Sequence, residues 1–489
     1  MKPPSVKDFE YYKKSSAKGV KWTGAGEVIS RLFQFIVSVA LARLLTPVDF
    51  GLIALALIIT KLIQLIIDFG FSSTIIQRPE INKEHYNTTF VVVLFFAILI
   101  FLFLFFNSSL IASWLGNKEI SGLIKYLSPV VLLSAINVVP RARLTRKLNF
   151  RRIAAAEFIS TIFYGGITVV FAFLLRNVWC FVIGILTEQI VLGILLWIFS
   201  NYRPSFSLSF RALREMFNFS GAVFGTRLLN FANLNALNIL IQKFYGSYSL
   251  GLFSLAYQII DLPTQRIAKN IMKVMYPILS RLQTQSQEYK KLFLTVLYIM
   301  MLIILPLFIV LYLLAEPFVM IFFGEKWMAA VPFLKIVCVV GIIRSLWTVI
   351  SAVSMSIGRP QLELILNLLN IILLVAGIFI IEPYGLTAIL IYFTFLLSVL
   401  YVAGQFWIFK VLQISPWKIL RQVKIPLFAN GLLFSILYFF SRWEIISSLS
   451  PLLMKFVLLS IVAVLIYLII LWIMDRRSLI NLFKMVIQA

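Results

Sequence analysis

The sequence predicts an all-α membrane protein with about fourteen transmembrane helices, and three observations carry that prediction. Hydrophobic residues make up 61% of the 489-residue chain and charged residues only 13%, too few to cover a soluble surface of that size. Mean hydropathy is +0.98. Apolar runs of roughly twenty residues, each long enough to cross about 30 Å of hydrocarbon, recur along the whole length.

The runs and their Gly, Pro, Asn and Ser punctuation place spans near 19–41, 48–70, 88–111, 121–139, 152–175, 178–199, 217–240, 248–271, 292–314, 330–355, 361–381, 384–409, 425–440 and 452–474. The stretch up to Lys21 is polar and lysine-rich and lacks the apolar core of a signal peptide, so the first span is expected to persist. Lys and Arg outnumber Asp and Glu by 44 to 19, a net charge of +25. No soluble stretch is long enough to form a basic domain, which argues against nucleic acid as a partner. With the N-terminus cytoplasmic, cationic loop residues gather on that side by about four to one. Both termini are therefore expected in the cytoplasm, and the loop charges face membrane lipids. Cys180 and Cys338 sit inside apolar runs, without disulfide or metal-ligand spacing. The single histidine, His85, reads as a surface residue of a short polar loop. No metal and no cofactor is expected.

An internal repeat stands at an offset of roughly 200 residues. Asp49-Phe50-Gly51-Leu52-Ile53-Ala54-Leu55-Ala56 aligns with Ser249-Leu250-Gly251-Leu252-Phe253-Ser254-Leu255-Ala256, at the starts of the second and eighth spans. Thr23-Gly24-Ala25 echoes Ser220-Gly221-Ala222 upstream. Six spans between equivalents imply parallel repeats with an axis along the membrane normal. This predicts an N-lobe at 1–200 (helices 1–6), a C-lobe at 201–410 (helices 7–12), and accessory helices 13–14 with a cytoplasmic tail at 411–489. Gly51 and Gly251 are expected to permit close helix approach.

Charges within the spans carry the functional argument, because a cation at bilayer depth costs on the order of 3 kcal/mol. Arg31, Lys61, Arg227 and Arg344 lie near the middle of spans 1, 2, 7 and 10. Thr23, Glu27, Arg31, Gln34 and Ser38 recur at steps of four, four, three and four, one face of a helix. Lys61, Gln64 and Asp68 do the same on span 2, and Arg227, Asn230, Asn235 and Asn238 share an arc of span 7. Gln258, Asp261, Gln265 and Lys269 align on span 8, with Pro263 placed to kink it. Repeat-equivalent helices thus carry the polar stripes, as a cavity between the halves requires. Structural alternatives stand beside this reading. Glu27 can neutralise Arg31, and Asp68 can pair with Lys61. Lys269 suits snorkelling, and the asparagines of span 7 could tie helices together. Arg227 and Arg344 have no acidic neighbour at helical spacing. A guanidinium offers two parallel hydrogen bonds to phosphate, so a cationic wet cavity favours an anionic headgroup.

Several segments resemble the polysaccharide flippases of the multidrug/oligosaccharidyl-lipid/polysaccharide exporter superfamily. They are Leu44-Leu45-Thr46-Pro47-Val48-Asp49-Phe50-Gly51-Leu52, Asp68-Phe69-Gly70-Phe71-Ser72-Ser73 and Ile75-Ile76-Gln77-Arg78. Arg146-Lys147-Leu148-Asn149-Phe150-Arg151, Phe217-Asn218-Phe219-Ser220-Gly221, Tyr276-Pro277-Ile278-Leu279-Ser280-Arg281-Leu282 and Phe323-Gly324-Glu325-Lys326-Trp327 complete the set. The resemblance implies two six-helix lobes forming a V around a central cavity, with helices 13 and 14 appended. It implies alternating access and transfer of undecaprenyl-pyrophosphate-linked oligosaccharide from the cytoplasmic to the periplasmic leaflet of a bacterial inner membrane. Polysaccharide polymerases and glycosyltransferases would then be partners. Related flippases hold pyrophosphate with basic residues on helices 1, 2, 7 and 8, which by position points here to Arg31, Lys61, Arg227 and Arg266. Arg344 joins them from its own span, and Glu27, Gln34, Gln64, Asn230, Asn238, Gln258 and Gln265 form the polar lining. Asp68 and Asp261 are candidates for ion coupling, beside Glu157, Glu188 and Glu363.

Two other classes remain in view. A multidrug or organic-cation exporter of the same fold would favour carboxylates over cations in its cavity. A membrane polymerase or ligase would need a sizeable outer loop bearing catalytic groups; the outer loops are short and carry no such constellation. No P-loop motif is present, and no catalytic residue is assigned.

Overall fold

The computed structural model of the chain describes residues 32–283, 285–442 and 452–488, with side chains except at 262, 265, 266, 274, 441, 442 and from 475 onward. Two compact units divide it, Met1–Gly251 and Leu252–Ala489.

The first unit begins its described part with α1 (Leu32–Leu44). Next come α2 (Pro47–Asp68), α3 (Phe71–Gln77), α4 (Lys83–Trp114), α5 (Ile120–Leu127), α6 (Pro129–Arg146), α7 (Phe150–Leu175) and α8 (Trp179–Ser200). The part of α9 (Phe210–Pro263) up to Gly251 also belongs here. The Thr-Pro-Val-Asp motif starts α2. Asp49 accepts the Thr46 backbone N–H at 2.9 Å while its own N–H donates to Thr46 Oγ1 at 3.3 Å, a reciprocal cap with Pro47 in the first turn. Arg146, which opens the motif Arg146–Arg151, donates to the carbonyls of Ile75, Arg78 and Pro79 at 2.6–2.8 Å. A cation there covers the open C-terminus of α3. α7 and α8 form an antiparallel pair so close that a methyl on Gly184 would overlap the Thr168 hydroxyl. Outward faces carry large apolar groups such as Phe103, Phe106 and Leu110 of α4, the surface a lipid environment accepts.

Gly51 and Gly251 show the close approach expected of them. A Cβ on Gly51 would overlap the Ser247 carbonyl, and one on Gly251 would overlap the Pro47 carbonyl. Because the repeat pairs Gly51 with Gly251, the two contacts exchange with one another, the pattern of a local twofold.

In the second unit α9 ends at Pro263 in a π-helical turn, Thr264–Ala268, where the ring removes a backbone donor. Then follow α10 (Lys269–Arg281), α11 (Ser286–Leu313), α12 (Ala315–Phe322), α13 (Val331–Ser356), α14 (Gln361–Ile381), α15 (Leu386–Leu412), α16 (Pro416–Arg442) and α17 (Leu452–Gln488). The Phe-Gly-Glu-Lys-Trp motif is packing: Gly324 turns at φ 96 and Trp327 is fully buried. α16 and α17 close on α11 through Ala429, Ile470 and Leu471 against Tyr298 and Leu302. Tyr467 completes the seam by donating to the Leu302 carbonyl at 2.8 Å.

Every regular element among the described residues is helical, and 11 helices are long and apolar enough to cross a membrane. The chain is a multi-pass membrane protein of the all-α class. These 11 cover predicted spans 2–6 and 9–14. Span 1 is described only from Leu32, span 7 lies in the first arm of the 54-residue α9, broken at Gly246 with φ 75, and span 8 begins in its second arm and continues through the π turn into α10.

Candidate functional site

A sharp turn builds the site. Phe69 and Gly70 both take positive φ, 43 and 81, which reverses the chain between α2 and α3. Asp68, the last residue of α2, accepts the backbone N–H of Ser72 at 3.1 Å and its hydroxyl at 2.8 Å. That covers the first turn of α3 with a carboxylate. α9 crosses the turn at contact distance, because Gly70 leaves no side chain in front of the Ser220 carbonyl. Thr74 and Ser220 hydroxyls meet at 2.7 Å, and the Phe69 ring stacks on Phe217 and Phe224. So held, α9 brings Arg227 to Asp68. One guanidinium nitrogen forms an ion pair with the carboxylate, and the other donates to Ser73 Oγ at 2.8 Å.

Beside this pair lies a cavity of about 410 Å³. Gln64, Asp68 and Arg227 line it together with Ser134, Asn137, Arg141 and Thr145 of α6 and Gln189 of α8. Gln64 Nε2 donates to Ser134 Oγ at 2.7 Å, and that hydroxyl donates onward to Gln189 Oε1 at 3.4 Å. Arg141 forms an ion pair with Glu157 of α7. Each arginine on the cavity wall is thus answered by a carboxylate, so the wall is charge-balanced rather than openly cationic. An anion that reaches Arg227 must share it with Asp68 or displace that carboxylate.

Three of the sequence-derived site residues, Gln64, Asp68 and Arg227, share this cavity. Lys61 is exposed on α2 one turn before Gln64. Gln34 on α1 is half-buried, Asn230 on α9 is exposed, and Asn238 is half-buried. Gln258, Asp261 and Arg344 belong to the second unit. There the Arg344 guanidinium stands over the Tyr257 ring at 5.3 Å, and neighbouring Ser345 lies 3.5 Å from Thr264 at the π turn. Glu27 and Arg31 lie outside the described residues, as do the side chains of Gln265 and Arg266.

Ser134, Asn137, Arg141 and Gln189 were not selected from the sequence, although a signal existed. Ser134, Asn137, Arg141 and Thr145 recur at steps of three, four and four, the same polar stripe used for other spans. The predicted span stopped at 139 and left Arg141 and Thr145 in a loop, whereas α6 continues to Arg146.

A second cluster lies at the start of α9, ahead of its apolar part. Arg78 pairs with the Glu215 carboxylate and donates to its carbonyl at 3.0 Å. Arg211 Nε donates to the same carboxylate at 3.1 Å, and His85 Nε2 lies 3.4 Å away. The Arg211 hydrogen bond first, then that from His85, hold the Glu215 carboxyl below its usual value. His85 is not the surface loop residue expected. It occupies the first turn of α4 at 8% exposure, and its Nδ1 accepts the Asn82 backbone N–H at 3.2 Å.

Comparison with known proteins follows the same lines. The family described as "polysaccharide biosynthesis protein" matches residues 40–332. The teichuronic acid biosynthesis protein TuaB of Bacillus subtilis (strain 168) is 27% identical over 351 residues, 71% of this chain and 73% of that protein. The lipopolysaccharide biosynthesis protein WzxC of Escherichia coli (strain K12) is 26% identical over 368 residues, 75% of each chain. Among solved structures, the lipid II flippase MurJ in an inward closed conformation superposes with a TM-score of 0.75 at 15% identity, covering 93% of this chain and 98% of that one. At that identity the match speaks to the fold.

Proposed function

Because the chain belongs to the family of polysaccharide biosynthesis proteins, we propose that it is a flippase for lipid-linked polysaccharide precursors. It moves undecaprenyl-pyrophosphate-linked repeat units from the cytoplasmic to the periplasmic leaflet of the bacterial inner membrane by alternating access, without covalent chemistry. Fourteen spans, with both termini cytoplasmic, form two six-helix lobes in a V, at 1–200 and 201–410, and 411–489 is an accessory segment. Polymerase and glycosyltransferase partners act before and after it.

The observation that carries this reading is Arg227, a guanidinium on the wall of a polar cavity inside an apolar bundle. Its planar fork suits a pyrophosphate oxygen pair. Asp68 keeps the charge compensated when no headgroup is present, since an unpaired ion within an apolar bundle is costly. On arrival of the anion, Arg227 exchanges one oxyanion for another, and the polyprenyl tail stays in the bilayer. Arg344, with Tyr257, and the cations at Arg31, Lys61 and Arg266 extend the anion path.

The test is reconstitution of the full chain in vesicles with a labelled lipid-linked oligosaccharide. Appearance of label in the opposite leaflet is expected, reduced in Arg227→Ala and in Arg344→Ala. Parent protein that leaves the lipid in place ends the proposal, and so do the two variants if both transport normally. Export of an organic cation, with no movement of the lipid, would place the chain with drug exporters instead.

A further inference from the structure

The cations of the first unit fall into two groups. Arg227, Arg141, Arg78 and Arg211 are each held by a carboxylate, that of Asp68, Glu157 or Glu215. Lys147, Arg152 and Arg203 are exposed, and no ion pair engages them among the described residues. The fold gathers these three at one place, where three apolar helices have their ends. Only Lys147, Leu148 and Asn149 separate α6 from α7. From α6, Arg143 donates to the Asn201 carbonyl at 3.2 Å; from α7, Arg152 donates to the Phe199 carbonyl at 3.0 Å. Both arginines thus cover the C-terminus of α8, and Arg203 follows just after it. A guanidinium carries five N–H donors, so Arg152 keeps others to offer.

Apolar side chains stand among these charges, with Leu148 51% exposed and Phe150 41% exposed. The helices concerned, Ile120–Arg146, Phe150–Leu175 and Trp179–Ser200, are each long and apolar enough to cross a membrane. Their shared end therefore lies where hydrocarbon meets headgroups. At that depth a cation beside an exposed apolar group meets a lipid phosphate and its acyl chains together.

We propose that the surface formed by Lys147, Arg152 and Arg203, with Leu148 and Phe150 beside them, binds an anionic phospholipid and fastens this end of the first unit to the bilayer. A zwitterionic headgroup carries its own cation, which three basic side chains repel; an anionic headgroup does not. Glu157, the one carboxylate on α7, is already paired with Arg141. None of the five residues lines the cavity of Arg227, and the inference does not rest on the flippase reading.

Native mass spectrometry of the full-length protein in a neutral detergent tests it, with dioleoyl phosphatidylglycerol and dioleoyl phosphatidylcholine titrated separately. Phosphatidylglycerol is expected to bind more tightly. Arg152→Gln and Arg203→Gln should each weaken it about fivefold and leave phosphatidylcholine unchanged. Lys147→Gln should act alike, and it serves should loss of the Arg152 bond to Phe199 disturb folding. Arg211→Gln is the control. It removes one charge at the start of α9, from a cation that Glu215 already holds, and should leave both lipids as they are. Equal weakening of phosphatidylglycerol by Arg211→Gln would mean attraction to net charge alone and overturn the site. Loss of both lipids together in the other variants would make those side chains part of the packing, and it overturns the site too. Parent-like binding in every variant does the same, as does a parent that holds the two lipids equally well.

Discussion

Arg227 of α9 and Arg344 of α13 are both arginines within long helices, and their charges are met in different ways. Arg227 is held by the Asp68 carboxylate and the Ser73 hydroxyl. Arg344 lies over the Tyr257 ring at 5.3 Å, and no described ion pair engages it. A carboxylate cancels a cation and must be displaced before a second anion can bind; an aromatic face shelters the cation and leaves its full charge. The count of basic residues in the spans therefore overstates the positive potential around Arg227 and represents it fairly at Arg344. Under the proposed function, the first would act as an exchange site and the second as an attractive one.

The largest expected effect breaks the first member of the pair. Arg227→Ala removes the anion contact and strands Asp68, which is 13% exposed at its side chain. The Arg227 side chain is itself 41% exposed, so the pair is only partly buried; vesicle transport should fall sharply, and thermal stability by less than a fully buried pair would cost. Adding Asp68→Asn should restore most of the stability and none of the transport. Recovery of transport in the double variant would mean that Arg227 is only a brace for α9.

Asp68→Asn alone sharpens the contrast. If Asp68 competes with the headgroup, its removal should tighten binding of a polyprenyl pyrophosphate about tenfold, or about 1.4 kcal/mol, and slow release. Weaker binding would show that the carboxylate aims Arg227 rather than occupying it. At Arg344 the prediction is milder. Tyr257→Leu should reduce lipid pyrophosphate affinity several-fold, on the scale of the roughly 0.5–2 kcal/mol that a ring contributes to a cation. Arg344→Lys should do much the same, since an ammonium cannot stack as a guanidinium does. An unchanged affinity in both would remove Arg344 from the anion path.

The helical class was legible because hydrocarbon thickness fixes the length of apolar runs, and the caps at Thr46 and Asp49 were present as a motif. Of the stripe read on span 2, Gln64 and Asp68 line one cavity, and Lys61 is not among its lining residues. What one strand of letters could not supply was the partner of Arg227, because Asp68 lies 159 residues away and only the turn at Phe69 and Gly70 delivers it. Asn137 was missed for another reason. The fourth predicted span ended with its apolar run at 139, before Arg141 and Thr145 could complete the stripe. Neither arm of α9 is among the 11 apolar spans, and in the first arm Arg227 and the asparagines lower the hydropathy. His85 was misread because burial depends on Glu215 and the start of α9 coming to it.

Glu215 extends the comparison to a carboxylate met by several cations outside the apolar region, and it has the smallest expected effect. Its carboxyl is held below the usual value by Arg211 first and then His85, with Arg78 contributing. A folded-state pKa below the unfolded one, about 4.3 for glutamate, contributes stability above that pH. The contribution is lost as pH falls through the folded value. Melting curves in detergent should therefore show a parent more stable than Glu215→Gln near neutral pH, with the gap closing in acid. Exposed pairs contribute little, so the gap should be far smaller than that between the parent and Arg227→Ala. A gap that persists unchanged at the acid end would mean that Glu215 holds α9 through shape and hydrogen bonds that survive protonation.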